Sequence, residues 1–303
     1  MKILTWNIQL QSTYRKDTKR IPDFVADELI YQNAEIIVLT EFVRVSNWES
    51  FIKNLEKGGY ESFYLPEGTL KKLQERADEI AKEIARKRRK NEEKAKGHIN
   101  EVLIAVKNKN QFIEYSAEKR DLLFTNDDKN VDLDSDKLPN YLRVDVEFAD
   151  TTLSIIGTRI RSNENGCYME KQLCNLRKHM DSIKNPLLAI GDFNCGPHYA
   201  KDKTWNWEKV FGKENGELIS RQYSVHTPNS GFSNVNRGNL NSIDHIISKG
   251  LGDKNILISD LYYSWEFMSR HEEYRHDSRY PNFFPRICFP DHAILTADIE
   301  IKE

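Results

Sequence analysis

Apolar positions along this chain come as short runs alternating with stripes at helical spacing. Ile3 to Ile8 reads as a strand, Asp23 to Gln32 as a helix, and Glu35 to Thr40 (EIIVLT) as a buried strand. The same rules place a helix at Trp48 to Glu56 and a strand at Tyr60 to Tyr64. Further strands fall at Glu101 to Val106, Tyr141 to Phe148, Thr152 to Thr158 and Leu187 to Ile190, with a helix at Tyr168 to Ile183. Ser242 to Ser248, Asn255 to Ile258 and Ala293 to Ile299 complete the set of strands. Interleaving of this kind predicts an α/β protein, and no recurrence with a period of roughly 20 to 50 residues points to a repeat array.

Two segments break the alternation. Lys71 to Lys96 carries eleven Lys/Arg against six Asp/Glu, with Leu73, Ala77, Ile80 and Ile84 as a narrow apolar stripe, so a charged helical insertion is expected near residues 69–97. It reads either as a solvated helix or as a basic arm along a phosphate backbone, the latter on the Arg86 to Lys90 cluster. The second is an Arg/aromatic-rich loop near residues 262–289, where Trp265, Phe267, Tyr274, Tyr280, Phe283 and Phe284 are interleaved with Arg270, Arg275, Arg279 and Arg286. Aromatic faces and guanidinium groups together can stack bases and hold phosphates, and they can equally pack upon each other.

Composition narrows the classes. With 303 residues, 39% hydrophobic and 30% charged, the chain has enough apolar material for a sizeable core, and residues 1–303 are read as one domain. Its longest apolar runs fall far short of the roughly 20 residues needed to cross a bilayer, so no integral membrane association is expected. Met1 and Lys2 lead directly into ILTWNIQL without a signal-peptide pattern, which predicts a cytoplasmic location. Cys167, Cys174, Cys195 and Cys288 show no metal or disulfide spacing and are expected as buried free thiols. A net charge of -2 leaves any polyanion binding to local patches. No feature points to a protein partner.

The chemistry gathers at strand ends. Glu41 follows EIIVLT, Asp192 follows LLAIG, Asp244 lies in SIDHII and Asp291 in FPDHAIL. Carboxylates brought together unpaired repel one another and lose hydration, and a hard divalent cation, Mg²⁺ or Mn²⁺, is the natural compensation. Asn7 and Asn194 can donate to anionic oxygens without adding charge, and His292 can be cationic beside a phosphate. His245 alternates away from Asp244 and is left out of the site. HEEYRH at 271–276 spaces its histidines five apart, not the four of a zinc protease helix, and neither a phosphate-binding GxxxxGK loop nor a GxGxxG fingerprint is present.

TWNIQ at 5–9, LTEF at 39–42, GDFN at 191–194, SIDHII at 242–247 and PDH at 290–292, in that order through almost the whole chain, resemble the endonuclease/exonuclease/phosphatase (DNase I-like) superfamily. The resemblance implies a four-layer α/β sandwich, two mainly antiparallel β-sheets face to face with helices outside. It implies Glu41 as principal Mg²⁺ ligand with Asn7 nearby, Asp291 completing the metal-side cluster, and Asp192 orienting or deprotonating the attacking water. Asn194 would hold a phosphate oxygen, and Asp244 would fix a catalytic His292. The implied activity is divalent-metal-dependent phosphodiester hydrolysis by in-line attack of water, on DNA or RNA in first place. A small phosphorylated substrate, such as an inositol phosphate or a phospholipid head group, is the alternative, and a catalytically silent binding module the third reading.

One departure stands out. Where the family usually presents His or Tyr before the GDFN segment, GTRIRS places Arg159, with Arg161 on the same strand face. An arginine there can grip a phosphate with two parallel hydrogen bonds but does not transfer a proton near neutrality. Arg159 is therefore kept as a candidate catalytic residue and also read as a salt-bridge partner.

Overall fold

The computed structural model describes residues 1–8, 20–87, 93, 101–107, 112–115, 140–148, 150–160, 167–195, 210–211, 213–214, 217–218, 222–236, 239–271 and 290–302. Along the chain run β1 (Lys2–Asn7), α1 (Asp23–Gln32), β2 (Ile36–Phe42), α2 (Trp48–Lys57), β3 (Tyr60–Phe63), α3 (Glu67–Lys87), β4 (Glu101–Lys107) and β5 (Phe112–Tyr115). β6 (Asn140–Phe148), β7 (Thr151–Arg159), α4 (Cys167–Ser182), β8 (Leu187–Asp192) and the short β9 (Lys213–Glu214) and β10 (Glu217–Leu218) follow. Then come β11 (Tyr223–His226), β12 (Asn234–Asn236), β13 (Asn239–Asn241), β14 (Asp244–Lys249), β15 (Ile256–Ser264), α5 (Phe267–Arg270) and β16 (Ile294–Ile301).

Two six-stranded sheets form, in the orders β15-β16-β1-β2-β4-β3 and β11-β14-β8-β7-β6-β5. Each is antiparallel except for one central parallel pair, β1 with β2 and β7 with β8. A parallel pair cannot be closed by a hairpin, and in both cases a helix makes the crossover, α1 in the first sheet and α4 in the second. The carboxyl ends of the paired strands therefore lie side by side, Asn7 opposite Thr40 and Arg159 opposite Asp192. These are the positions at which open α/β sheets collect reactive groups.

Alternation along the strands sorts the core into layers. Ile3, Val38 and Ile104 of one sheet meet Val144, Ile155, Ile190 and Ile246 of the other between the sheets. On the outer side of the first sheet Leu4, Trp6, Ile37 and Leu39 pack under Phe24, Val25 and Leu29 of α1 and Phe51 and Leu55 of α2. On the outer side of the second, Ile156, Ala189 and Ile247 pack under Leu173, Leu176 and Met180 of α4. Helix, sheet, sheet and helix stack as the expected four-layer sandwich.

Several expectations change in detail. β15 runs on to Ser264 because a bulge between Ser259 and Tyr262, with Asp260 at φ 45°, interrupts the alternation on which its length was read. β5, β11, β12 and β13 are too short to show in the pattern. The charged helix starts at Glu67 and is described to Lys87; its apolar stripe and the residues from Arg88 to Lys90 lie outside the described side chains. Phe267 is buried against Trp6 at 4.8 Å between ring centroids, and Trp265 stacks near it, so this part of the Arg/aromatic segment serves the core. Tyr274 to Arg286 lie outside the described residues, as do Arg161, Cys167 as a side chain, and Cys288. Cys195 is a buried free thiol, and Cys174 is half-buried.

Candidate active site

Four strand ends and two loops bring the expected residues together. Asn7 closes β1 and is buried, and its Nδ2 lies 3.3 Å from Glu41 Oε1, 2.9 Å from Asp192 Oδ2 and 3.4 Å from His292 Nε2. The other ring nitrogen, Nδ1, faces Asp244 Oδ2 at 2.8 Å; with the ring protonated both nitrogens are donors, and the Asn7 approach is a close contact, not a hydrogen bond. Residues at positions 7, 41, 192, 244 and 292 thus occupy one buried cluster.

Local backbone devices deliver these side chains. Simple alternation would send Glu41 outward with Ile37 and Leu39; a bulge against β4 and φ 55° at Glu41 turn it into the site. Asp192 follows Ile190 on the inter-sheet face, and Gly191 before it adopts φ 149°. A Cβ at Gly191 would stand 2.0 Å from the Thr158 carbonyl oxygen, so only glycine lets β8 approach β7 here. Asn194, at φ 51°, curls back: its backbone N–H donates to Asp192 Oδ1 at 2.8 Å, and its Nδ2 donates to Ile160 O at 2.6 Å and Asp192 Oδ2 at 3.0 Å. The amide expected to hold a phosphate oxygen here donates to the acid and to a neighbouring carbonyl.

Asp244 opens β14 opposite Asp192, and its own N–H donates to Ser233 Oγ at 3.1 Å. Tyr263 donates its hydroxyl to the Asp244 carbonyl at 2.7 Å, and Trp6 Nε1 donates to the His292 carbonyl at 3.0 Å. These three supports were not read from the sequence. Trp6 lies within the TWNIQ motif and could have been singled out; Ser233 and Tyr263 carry no local signal. His245 points to the other face, as expected, between Cys195 O and Thr227 Oγ1 at 2.8 Å each.

Arg159 enters this cluster directly. Its Nη2 is 2.6 Å from Glu41 Oε1 and its Nε 3.6 Å from Asp192 Oδ2. Asp291 sits at the rim, with Oδ1 3.8 Å from His292 Nε2, and contributes to the negative surroundings of Arg159. Burial disfavours the guanidinium charge, but Glu41 and Asp192 outweigh it and raise the Arg159 pKa. Burial pushes Asp192 up to about 7, against the pull of His292 and with help from Asp244. Burial alone would lower His292; the adjoining Asp244, with Asp192 and Asp291, reverses this and holds the imidazolium up to about 10.

A divalent ion does not fit the donors as they stand. Glu41 Oε1 already faces Arg159 and Asn7, and Asn7 turns its N–H side to the carboxylates. Among the described residues, no three Asp, Glu, His or Cys side chains converge as ligands. The expected set of Glu41, Asn7 and Asp291 is thus only partly assembled, with an arginine standing at its principal carboxylate.

No family model matches the sequence, and no curated protein matches it. Solved structures do. TDP2 from D. rerio complexed with single-strand DNA product is similar at TM-score 0.57 and 13% identity, over 99% of this chain and 98% of that one. The human Nocturnin catalytic domain with bound sulfate anion is similar at 0.56 and 13%, over 100% and 93%. ANGEL2, a 2',3'-cyclic phosphatase in complex with adenosine-2',3'-vanadate, is similar at 0.58 and 13%, over 98% and 94%. The chain shares the DNase I-like α/β sandwich fold of these structures over nearly its whole length. No helix among the described residues is long and apolar enough to cross a membrane.

Proposed function

We propose that this protein hydrolyses phosphodiester bonds and that its substrate is DNA or RNA. The observation that carries the reading is the buried junction of Asn7, Asp192, the Asp244–His292 pair and Arg159 at the carboxyl ends of two parallel strand pairs. In it, Asp192 is the base: locked by Asn7 and Asn194 and raised toward neutrality, it orients a water and takes its proton. His292, held by Asp244, presents a positive Nε2–H to the phosphoryl oxygens, where charge grows in the transition state. Arg159 supplies the fork that matches a phosphate. Glu41 is engaged by that same arginine and stands outside these steps.

The single-strand DNA product in the D. rerio TDP2 structure supports a nucleic-acid strand as substrate. Adenosine-2',3'-vanadate in ANGEL2 favours a second reading, a small or terminal phosphoester. Labelled DNA and RNA strands, offered beside adenosine 2',3'-cyclic phosphate with Mg²⁺, with Mn²⁺ or with chelator, separate the two. Strand cleavage that weakens steeply with salt is expected, because a polymer binds by releasing counterions. Cleavage of the small ester alone would replace the nuclease reading, and cleavage of none of them would leave the silent binding module.

A further inference from the structure

Arg159 and Glu41 come from different sheets, and the contact between them depends on how closely the sheets approach. Gly157, two residues before Arg159 on the same face of β7, makes room: a Cβ there would stand 2.6 Å from Val102 Cγ1 and 2.7 Å from Val38 Cγ1 of the opposite sheet. With that clearance the guanidinium spans the gap at the strand ends and meets Glu41 at 2.6 Å. Glu41 for its part is aimed inward by the bulge in β2, a non-glycine residue held at φ 55°. Both devices serve one ion pair.

That ion pair is only half made. Arg159 Nε is buried yet has no hydrogen-bond partner among the described residues, and its nearest acid, Asp192 Oδ2, is 3.6 Å away. A guanidinium in a structural role tends to use its fork fully, as Arg44 does on both oxygens of Glu101 at 3.0 and 2.9 Å. Arg159 keeps a donor in reserve beside the acid assigned to the attacking water.

We propose that Arg159 is the resident cation of Glu41, and that a divalent ion can take this carboxylate only by displacing it. The two are alternatives and not partners, since a guanidinium and a doubly charged ion on one carboxylate repel each other. A phosphate ester offers the displaced fork a better-matched acceptor than Glu41, so oxyanion and divalent ion each make room for the other, and the coupling is reciprocal. The substrate-free protein accordingly holds divalent ions weakly.

This exchange rests on the site proposed above and not on its reaction. Mn²⁺ binding to substrate-free protein, read from the electron paramagnetic resonance of free Mn²⁺, tests it without any turnover, so an active hydrolase lacking the exchange and an inactive protein showing it are distinct results. Arg159→Gln is expected to bind Mn²⁺ about tenfold more tightly than the wild type, Arg159→Lys to stay weak, and Arg159→Gln with Glu41→Gln to lose the gain. Binding in Arg159→Gln no tighter than in the wild type, or a gain that survives Glu41→Gln, would overturn the proposal. Should the Arg159→Gln protein not fold, the ¹⁵N resonance of the Arg159 guanidinium in the wild type, assigned by its loss in Arg159→Lys, decides. It is expected to shift through a millimolar Mg²⁺ titration, and a resonance that stays in place overturns the exchange.

Discussion

The protein contains two buried clusters built from the same residue types, and they are made in opposite ways. At α1, Glu28 is fully buried and accepts on both oxygens: from Arg270 at 2.6 and 3.1 Å, from Gln32 at 2.6 Å, and it faces His271 Nε2 at 2.8 Å. At the strand ends, Glu41, Asp192 and Asp244 share one arginine and one histidine, and Arg159 Nε and Asp244 Oδ1 find no hydrogen-bond partner among the described residues. The chemistry follows from the difference. Burial raises and the Arg270, Gln32 and His271 hydrogen bonds lower the pKa of Glu28, with the net shift downward, whereas burial wins at Asp192 and carries it to about 7. A cluster with every acceptor used is a clamp; one short of cations and donors keeps a proton acceptor poised near neutrality.

Substitutions separate the two most sharply. Asp192→Asn is expected to lower phosphodiester turnover about 10³-fold, the loss of a positioned base, while leaving stability at pH 8 unchanged or higher by about 1 kcal/mol. Paired turnover and urea-melt measurements check this, and a large loss of stability would reassign Asp192 to the clamp class. Gly191→Ala attacks the strained backbone that delivers Asp192; with its Cβ 2.0 Å from the Thr158 carbonyl oxygen, it should cost about 3 kcal/mol in the same melts.

Glu28→Gln reverses the pattern: about 2 kcal/mol less stable, with turnover unchanged. Its pH dependence also has the opposite sign. A lowered folded pKa means that Glu28 stabilises the fold above its ordinary 4.5, and that this contribution is lost as pH falls through the folded value. Asp192, raised from 3.8, favours the fold most at acid pH, and that contribution is lost as pH rises through about 7. Melts from pH 3 to 8 on the two variants are expected to converge with wild type at low pH and to part from it in opposite directions as pH rises: the Glu28→Gln deficit opens as pH rises toward about 4.5, and the Asp192→Asn gain opens toward about 7. The smallest effect is that of Tyr263→Phe, which removes one hydrogen bond to the Asp244 carbonyl and should cost about 1 kcal/mol.

Asn7, Glu41 and Asp192 were legible because each ends or follows an apolar run, and a buried strand leaves its next residue at the sheet end. Asp244 and His292 were legible from the SIDHII and PDH segments, and Asn7, Asp192, Asp244 and His292 lie together. What stayed hidden depends on backbone turns and long separations. The inward aim of Glu41 comes from a bulge and a positive φ that no side-chain pattern announces. The Arg159–Glu41 contact joins residues 118 apart in sequence, and that of Arg270 with Glu28 joins residues 242 apart. For the second reason the sequence left Arg270 open between holding phosphate and packing within the protein, and it is found clamping α1 through Glu28. Tyr263 was missed because the bulge at Asp260 hid the length of β15.

Turnover of bis(p-nitrophenyl) phosphate by the wild type, Asp192→Asn and Glu28→Gln, assayed side by side, tests the central claim most directly. The wild type and Glu28→Gln should hydrolyse it equally, and Asp192→Asn about 10³-fold more slowly. A wild type without activity, or an Asp192→Asn protein as fast as the wild type, would contradict the assignment of hydrolysis to this junction of strand ends.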